Sequence, residues 1–243
     1  MLKKQAMENM QQKLQNNPYP GRGIVVGKND TGLWVQVYWI MGRSENSRNR
    51  IFVLEKGILK TQAADASKVT DPTLIIYNAM RDIQNHFIVT NGCQTDTIHD
   101  SITQGKSFAH ALSRHKHEPD APNFTPRISG CLAWKPDDGL VMLSVLKASP
   151  FDNDSSEYLY FHYPCVAARF GYAVTTYKDD GNPIPSFEGE PYLLPLEGDI
   201  QAIADCYWQT LNEDNKVSLA VRGIDPKTAK FDTVIVNKHT SIS

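Results

Sequence analysis

The 243-residue sequence predicts a layered α+β fold. Many apolar runs bounded by turn residues indicate strands, and a smaller number of segments carry apolar residues at helical spacing. Sheets and helices of this kind bury their apolar faces against one another in layers. Because no repeat, low-complexity tract or linker interrupts the pattern, we predict an N-terminal extension over residues 1–17 and a single domain over residues 18–243.

The chain begins with a polar segment that is followed by a hairpin. Leu2, Ala6, Met10 and Leu14 are spaced by four, which predicts a short amphipathic helix, although a frayed extension fits this segment about as well. After the break NPYPG, the runs RGIVVGK and LWVQVYWIM predict two strands joined by the turn KNDTG.

Extended segments and a helix make up the middle of the chain. We predict extended structure for IFVLEKGILKT and two strands around a polar turn for PTLIIYNAMRDIQNHFIVTNG. The segment DTIHDSITQGKSFAHALSRH places apolar residues on one helical face, with Gly105 as an interruption. In KHEPDAPNFTPR, three prolines exclude a helix and predict a fixed, extended loop.

The remaining elements are mostly strands. ISGCLAWKPDDGLVMLSVLKAS predicts a hairpin, EYLYFHYP a strand, and NKVSLAVRGIDPKTAKFDTVIVNK two closing strands. DIQAIADCYWQTLN has apolar residues on one stripe and predicts a helix. CVAARFGYAVTTYKDD is compatible with either helix or strand. The turn-rich segment TTYKDDGNPIPSFEGEP predicts a loop lid or an oligomer contact.

Composition and charge exclude several classes of protein. Lys and Arg number 25 and Asp and Glu 27, so a net charge of −2 provides no general attraction to nucleic acid or to an anionic membrane. No segment approaches the ~18 uninterrupted apolar residues of a membrane span, and we expect a cytoplasmic protein. Phosphate-loop, Rossmann, nucleophile-elbow and zinc-protease motifs are absent. The four cysteines form no CxxC pair, which predicts reduced, buried thiols.

The segment GRSENSRNR places Arg43, Arg48 and Arg50 directly after an apolar run. Serine hydroxyls and an asparagine amide lie between the guanidinium groups. Together these donors suit a phosphate monoester, which offers three acceptor oxygens and nearly two negative charges. A solvated loop rim is the alternative, since arginines in loops are usually exposed. We interpret the segment as an anion-binding site.

Further polar residues recur at predicted strand ends. Tyr77 and Arg81 follow one apolar run, and another ends in VTNGCQTD, where Asp96 could also be a helix N-cap and Asn91 part of an ordinary turn. In the proline-rich loop, Glu118 and Arg127 could pair at the surface or face a cleft, where a carboxylate can act as a general base. The histidines of this region, His110, His115 and His117, follow no metal-ligand spacing, and we expect them to be solvated.

Five segments in this order resemble the archaeal-type IMP cyclohydrolase family. They are GRGIVVG, the RS and NR pairs of GRSENSRNR, YNAMR, VTNGCQTDTI and TPRI, and they extend from Gly21 to about Ile128, roughly half of the chain. The longer spacing between the RS and NR pairs, the N-terminal extension and the long C-terminal half with PSFEGEP look like a bacterial branch of the family.

The resemblance implies a fold and an activity. The implied fold is a four-layered αββα sandwich similar to the N-terminal nucleophile hydrolases, but a chain that starts Met1-Leu2-Lys3 lacks their N-terminal nucleophile. The implied reaction closes the ring of 5-formamidoimidazole-4-carboxamide ribonucleotide to inosine monophosphate (IMP), with loss of water and without cofactor or metal. The family also implies a homo-oligomer.

Carried over to this sequence, the resemblance implies roles for individual residues. Arg50 and Tyr77 would donate to the formyl oxygen, and Glu118 would accept the amide proton or orient the carboxamide. The phosphate would be held by Arg43, Ser44 and Arg22. The remaining predicted contacts to the substrate are Asn49, Asn91, Gln94, Thr95, Asp96, Asn123, Thr125 and Arg127.

Two other readings remain open at this point. The same pocket could belong to an amidohydrolase that uses an internal nucleophile, for which Cys93 is the candidate. Alternatively, the inserted arginine loop could leave a protein that binds a purine nucleotide without catalysis. The first reading requires a reactive thiol beside the pocket, and the second requires nucleotide binding without ring closure.

Overall fold

Two antiparallel sheets form the body of this α+β protein. The computed structural model describes residues 1–69, 72 and 75–239. The strands of this part of the chain are β1 (Gly23–Lys28), β2 (Trp34–Met41), β3 (Ile51–Glu55), β4 (Ile58–Gln62), β5 (Asn78–Ile83), β6 (His86–Thr90), β7 (Arg127–Lys135), β8 (Asp138–Ala148), β9 (Ser156–Tyr163), β10 (Phe170–Thr175), β11 (Tyr192–Pro195), β12 (Lys216–Ile224) and β13 (Phe231–Asn237). One sheet has the order β11-β10-β1-β2-β12-β13, and the other runs from β3 to β9 in sequence order.

Helices are few and short. They are α1 (Leu2–Met10), α2 (Glu45–Arg48), α3 (Gln94–Thr103), α4 (Phe108–Leu112) and α5 (Ile200–Thr210). A π-helical turn, Gln11–Gln15, continues α1, and Ala66–Lys68 forms a 3₁₀ turn. None of the helices in the described part of the chain is long and apolar enough to cross a membrane.

In the central strands, alternating side chains belong to different apolar clusters. In β2, Tyr38 and Ile40 belong to a cluster shared by both sheets, whereas Val37 and Trp39 belong to a cluster shared with α5. In β6, Phe87 belongs to the cluster shared by both sheets, so this strand also turns one of its faces toward the other sheet. This period of two is the one expected when both faces of a strand are buried.

The helices cover different sheets. Residues of α1 and α5 join the cluster of the six-stranded sheet, and residues of α3 and α4 join the cluster of the seven-stranded sheet. Between the sheets, Gly130 lies so close to Ile24 and Val26 that a Cβ at this position would stand 3.0 Å from both side chains. The two sheets therefore pack face to face, with little room for a side chain at position 130.

Most predicted elements are confirmed, and the differences have local causes. Residues 1–17 begin as a helix with Ala6, Met10 and Leu14 buried, rather than as a frayed extension. The single helix predicted after VTNGC is divided into α3 and α4, because Gly105 adopts a left-handed φ of +71° between them. The ambiguous segment forms strand β10.

The thiols differ from the prediction of buried cysteines. Cys131 is buried, as predicted, and its burial raises the pKa of the thiol. The prediction is wrong for Cys93, Cys165 and Cys206, which are exposed. All four are free thiols. Their small-residue and apolar sequence contexts reflect neighbouring strands and helix ends rather than burial of the cysteines themselves.

The antiparallel pairing brings several strand ends to one edge. Gly23 at the start of β1 pairs with Trp39 near the end of β2 and with Thr175 at the end of β10. Arg22, Arg43 and Tyr177 lie just beyond these ends. Residues far apart in sequence therefore meet at one end of the sheets, where the cavity described below lies.

Candidate functional site

A cavity of about 190 Å³ opens at this end of the sheets. Its lining contains three arginines, several hydroxyl groups and one carboxylate. All the described lining residues are Tyr19, Gly21, Arg22, Met41, Arg43, Ser44, Ser47, Arg50, Asp120, Asn123, Thr125, Tyr177 and Ile184. A larger groove of about 460 Å³ lies between α1 and α5, but its described lining includes no arginine and is mostly apolar. The smaller cavity is therefore the better candidate for binding an anion.

The turn before β1 brings Arg22 into this cavity. Gly21 has a left-handed φ of +73°, and a Cβ there would stand 2.2 Å from the Thr176 hydroxyl. A side chain at position 21 would therefore displace the neighbouring loop. The Arg22 amide donates to the Thr176 hydroxyl at 3.0 Å, which fixes the backbone beside the cavity.

Arg22 forms a buried ion pair with Glu118. The guanidinium donates from Nη1 and Nη2 to the two carboxylate oxygens at 3.2 and 3.1 Å, and the side chains are 10% and 4% exposed. Burial acts to lower the pKa of Arg22, but the Glu118 carboxylate and nearby tyrosines raise it well above its usual value. Glu118 is thus buried and paired with Arg22 rather than with Arg127, and it is not itself among the described residues that line the cavity.

Arg50 presents unused donors to the cavity. Its Nε donates to the Ser47 carbonyl at 2.9 Å, and its side chain is largely buried. Its Nη1 and Nη2 groups have no hydrogen-bond partner among the described residues, although Arg50 lines the cavity. A buried guanidinium with two open donors requires an acceptor from a ligand or from solvent.

Tyr77 lies beside these arginines and is paired with a second tyrosine. Its hydroxyl is 2.6 Å from the hydroxyl of Tyr38, and both side chains belong to the cluster between the sheets. Burial and the neighbouring Tyr77 raise the pKa of Tyr38 well above its usual value, while Arg22 and Arg50 act in the opposite direction. Tyr77 is 6% exposed and does not itself line the cavity, but it lies close to Arg22, which does.

Arg43 lies at the mouth of the cavity. Its guanidinium stacks over the ring of Tyr19 at 4.9 Å, and its Nη1 donates to the Gly181 carbonyl at 3.0 Å and to the carboxylate of Asp180. Its Nε and Nη2 groups have no partner in the part of the chain that the structure describes. One edge of Arg43 is therefore anchored by the protein, and the other can bind an anion.

Hydroxyl groups form the opposite wall. The Thr125 hydroxyl lies 2.6 Å from the hydroxyl of Tyr177 and also contacts the Asp120 carboxylate. Burial raises the pKa of Tyr177 to about 12 although nearby Arg22 lowers it, so this phenol stays neutral at physiological pH. Asn123 accepts from the Ile184 amide at 3.1 Å and thereby joins two wall segments.

Two side chains of the arginine segment that are predicted to contact the substrate form hydrogen bonds with nearby residues of the protein. The Ser44 hydroxyl lines the cavity but accepts from the Ser47 amide at 3.2 Å as the N-cap of α2. The Asn49 amide donates to the Asp65 carbonyl at 2.8 Å and accepts from the Asp65 amide at 2.7 Å. Asn49 therefore fixes the neighbouring loop.

A second group of predicted residues lies around the start of α3. The side-chain oxygen of Asn91 accepts hydrogen bonds from the Ile128 backbone amide and from the Gln94 side chain, both at 2.9 Å. Arg127 donates to Gln94 at 3.1 Å and to the Lys116 carbonyl at 2.9 Å. This group therefore ties the loop before β7 to α3.

Thr95 and Asp96 complete this second group. The Thr95 hydroxyl is 2.7 Å from the Thr90 hydroxyl, and the Asp96 carboxylate accepts from Asn78 at 2.9 Å and from Arg81 at 2.5 Å. The lining of the cavity, taken over the described residues, includes neither residue. Their predicted contact with a ligand stays a prediction.

The histidines of the proline-rich region are less exposed than predicted. His117 is buried and contacts Ser156 at 2.8 Å, and His115 is partly buried and contacts Thr97 at 2.9 Å. The expectation that these two side chains are solvated is therefore wrong, whereas His110 is exposed. Among the described residues, no three His, Cys, Asp or Glu side chains are grouped as metal ligands.

Sequence reasoning missed the residues that the last third of the chain contributes. Tyr177, Ile184 and Asp180 belong to the segment TTYKDDGNPIPSFEGEP, which the sequence marked only as a lid or a contact. An aromatic residue and two acids among turn-forming residues were the available signal. Tyr19, which precedes β1, stacks on Tyr177 with ring centroids 5.7 Å apart.

The fold and the cavity together define a class of protein. It is a two-sheet α+β protein with a cavity at one end, in which guanidinium and phenol groups converge from several strand ends. Such a cavity can hold a small anionic ligand and can donate hydrogen bonds to an oxygen that gains negative charge.

Sequence comparison places the chain within one family. The family of IMP cyclohydrolase-like proteins matches residues 19–228, so the chain belongs to this family. An IMP cyclohydrolase from Methanopyrus kandleri is 35% identical over 115 residues, which cover 46% of this chain and 57% of that protein. One from Halobacterium salinarum is 31% identical over 134 residues, covering 54% and 63%.

A third relative gives the same picture. The IMP cyclohydrolase of Methanosphaera stadtmanae is 31% identical over 122 residues, which cover 48% of this chain and 59% of that protein. The chain thus spans about three-fifths of the length of the curated relatives that it matches.

Proposed function

We propose that the protein is an IMP cyclohydrolase, an enzyme of purine biosynthesis that closes the ring of 5-formamidoimidazole-4-carboxamide ribonucleotide to form IMP. The observation that carries this proposal is the convergence of Arg22, Arg43 and Arg50 in one cavity of a chain that belongs to the IMP cyclohydrolase-like family. Three guanidinium groups suit a ligand with a phosphate at one end and a polar ring at the other.

The finer features of the fold form part of the same proposal. We propose a four-layered αββα sandwich similar to the N-terminal nucleophile hydrolases, supported by the helix-containing clusters on each of the two sheets. Assembly into a homo-oligomer and a cytoplasmic location are proposed with it, as the setting of a purine-synthesis enzyme.

The reaction requires positioning and two proton transfers. The carboxamide nitrogen attacks the formyl carbon, a C–N bond forms, and the formyl C=O electrons move to oxygen. The carboxamide nitrogen then loses one of its two protons, and the former formyl oxygen gains a proton. The formamide nitrogen loses its own proton as the C=N bond forms between it and the former formyl carbon, and the oxygen gains a second proton and leaves as water. Because both reacting groups belong to one molecule, holding the productive formamide rotamer removes much of the entropic barrier. No electron is exchanged with another species, so the reaction needs no redox cofactor.

The residues beside the cavity match these needs. Arg50 has two open guanidinium donors, and Tyr77 adds a hydroxyl; in our proposal both donate to the oxygen that develops negative charge. Glu118 accepts two hydrogen bonds from Arg22 and keeps further lone pairs. Its proposed role is to accept from the carboxamide N–H and so to orient the nitrogen for attack.

The phosphate is assigned to the mouth of the cavity. The open edge of Arg43, together with Ser44, would hold the phosphate oxygens, and Arg22 would add positive charge. Asn123 and Thr125 line the same cavity and are proposed to contact the ribose. The remaining predicted contacts to the base or ribose are Asn49, Asn91, Gln94, Thr95, Asp96 and Arg127.

Turnover of the formamido nucleotide tests the proposal. Ring closure converts an imidazole into a purine and changes the ultraviolet absorbance, which can be followed with the purified protein. We expect saturable conversion to IMP in the absence of added metal or cofactor. Binding of IMP without any conversion would instead favour a binding protein, and neither binding nor conversion would refute the proposal.

A further inference from the structure

Tyr38 is a buried residue to which neither the sequence pattern nor the proposed reaction assigns a role. It lies on β2, is 0% exposed, and its ring packs against Phe52 with centroids 5.4 Å apart. Its hydroxyl makes one hydrogen bond among the described residues, to the hydroxyl of Tyr77 at 2.6 Å. The ring is therefore held in place, and its single polar group is directed at one partner.

The direction of this hydrogen bond follows from counting protons. Each hydroxyl carries one proton and can also accept hydrogen bonds. If Tyr77 donated to Tyr38, the Tyr38 proton would be buried without an acceptor in the described part of the chain, which is costly. If Tyr38 donates instead, its proton is satisfied. The unsatisfied proton is then that of Tyr77, which is 6% exposed against 0% for Tyr38, so the arrangement with Tyr38 as donor and Tyr77 as acceptor is the less costly one.

The Tyr77 proton is then left without an acceptor in the protein. Tyr77 makes no other side-chain hydrogen bond with the residues that the structure describes. Both hydroxyls are close enough to Arg22, which lines the cavity, to raise the pKa of that guanidinium, and Tyr77 is the more exposed of the two side chains. An unused phenolic donor beside a cavity-lining arginine is suited to a ligand oxygen. The phenol of Tyr38 also stays protonated, because burial raises its pKa.

We propose that Tyr38 is a positioning residue for the ring closure: its hydroxyl donates to Tyr77 and thereby directs the Tyr77 proton to the formyl oxygen of the nucleotide. This inference rests on the proposed function and deepens it, since it assigns the orientation of one of the two donors. Tyr38 itself does not touch the substrate. Its loss should slow the chemical step and leave nucleotide binding almost unchanged.

The change Tyr38→Phe removes only the hydroxyl and keeps the buried ring. We expect kcat for ring closure to fall about tenfold or more, with KM within about twofold of the parent value, because an oxyanion donor is misdirected rather than deleted. Tyr207→Phe is the matched control. Tyr207 lies on α5, away from the cavity, and is about as buried as Tyr38. Among the described residues its hydroxyl makes one hydrogen bond, which it donates to the Pro195 carbonyl at 3.0 Å. The Tyr207→Phe variant should keep the parental kcat, although its melting temperature should fall by a similar amount to that of Tyr38→Phe.

A double-mutant cycle distinguishes positioning from a general structural role. If Tyr38 acts through Tyr77, Tyr38→Phe should have no further effect on kcat in a Tyr77→Phe protein. Additive losses, or a Tyr38→Phe enzyme with the parental kcat, would overturn the inference while leaving the proposed function intact. A parent protein that does not close the ring would overturn both.

Discussion

Arg43, Arg48 and Arg50 lie within eight residues but have different surroundings. The guanidinium of Arg48 donates to the Gly42 carbonyl at 2.9 Å and to the Asn215 side chain at 3.3 Å, whereas Arg43 and Arg50 line the cavity. The cause is local, because Ser44 and Ser47 form a capping box and start the single turn of α2. That turn directs Arg48 away from the other two.

In the proposed enzyme, the negative charge of Asp180 opposes the binding of a phosphate at the open edge of Arg43. The Asp180 carboxylate contacts Nη1 of Arg43, and both side chains are more than a third exposed. Replacing Asp180 by Asn removes a negative charge next to the proposed phosphate position. Because exposed ion pairs contribute at most about 1 kcal/mol, we expect the Kd of IMP to fall by about two- to fivefold in calorimetric titration.

The neighbouring acid provides the control for this change. Asp179 has the same charge, and its carboxylate contacts the backbone amide of Asp180 rather than Arg43. Asp179→Asn should therefore leave the Kd of IMP close to the parental value. If Asp180→Asn bound IMP more weakly than the parent, Asp180 would be a residue that holds Arg43 for binding, not a competitor.

At the scale of elements, the N-terminal helix is part of the folded body. Ala6 and Leu14 are fully buried against the six-stranded sheet, and Asn9 donates to the Leu193 carbonyl of β11 at 2.9 Å. A further bond from Asn17 to the Lys178 carbonyl, at 3.0 Å, links the end of this segment to the loop beside the cavity. Residues 1–17 are therefore packed against the body and reach the region of the site.

Truncating Leu14 tests this packing. Leu14→Ala removes a fully buried side chain and should lower the free energy of unfolding by about 2–5 kcal/mol, measured by urea denaturation. Leu2→Ala is the matched control, since Leu2 lies on the same helix but is 45% exposed. Its effect should remain within about 0.5 kcal/mol. Equal, small effects of the two changes would mean that the helix does not pack on the sheet in solution.

The long strands and helices could be predicted from the sequence more reliably than the short turns and helix ends between them. Strands β1, β2 and β12 follow from largely apolar runs, because both faces of each strand are buried. Helix α5 follows from its apolar stripe and from Asp199, whose side chain caps it by accepting from the Ala202 amide at 2.8 Å. The short helix α2 could not be predicted, because its one turn depends on a serine pair in a segment rich in arginine.

At the scale of the whole molecule, the pairing of the site residues could not be predicted. The arginines of GRSENSRNR were identifiable as anion ligands from their type and spacing. Their partners are remote: Glu118 lies 96 residues from Arg22, and Asp180 lies 137 residues from Arg43. Such pairs depend on which strands become neighbours, and no local pattern encodes that order. The same limit applies to Tyr38, on β2, and Tyr77, which directly precedes β5 of the other sheet.

The stability of the whole fold should decrease on mild acidification. Burial, as the main cause, lowers the pKa of His86, His115 and His117. Arginines near His115 contribute in the same direction, whereas the neighbouring Asp120 opposes the shift of His117. In the unfolded chain these imidazoles have a pKa of about 6.5. Below that pH the unfolded state binds more protons than the folded state, so stability falls as the pH decreases.

Urea denaturation at pH 7.5 and pH 5.5 measures this effect. The free energy of unfolding should be smaller at the lower pH, and the difference should shrink in His86→Gln but not in His110→Gln, whose side chain is exposed. The lowered pKa values of carboxylates such as Asp65 and Asp225 act only at still lower pH, so they do not confound this window. Equal stability at the two pH values would contradict the assignment of buried, neutral imidazoles.

The most direct test of the proposed active site compares two arginines of the same segment. Arg50 lines the cavity with open donors, whereas Arg48 donates to backbone and asparagine groups outside it. In the ring-closure assay, Arg50→Ala should lower kcat by about 100-fold or more, as expected for the loss of an oxyanion donor, and Arg48→Ala should retain nearly the parental kcat. Equal turnover by the two variants would contradict the assignment of this cavity as the place where the purine ring is closed.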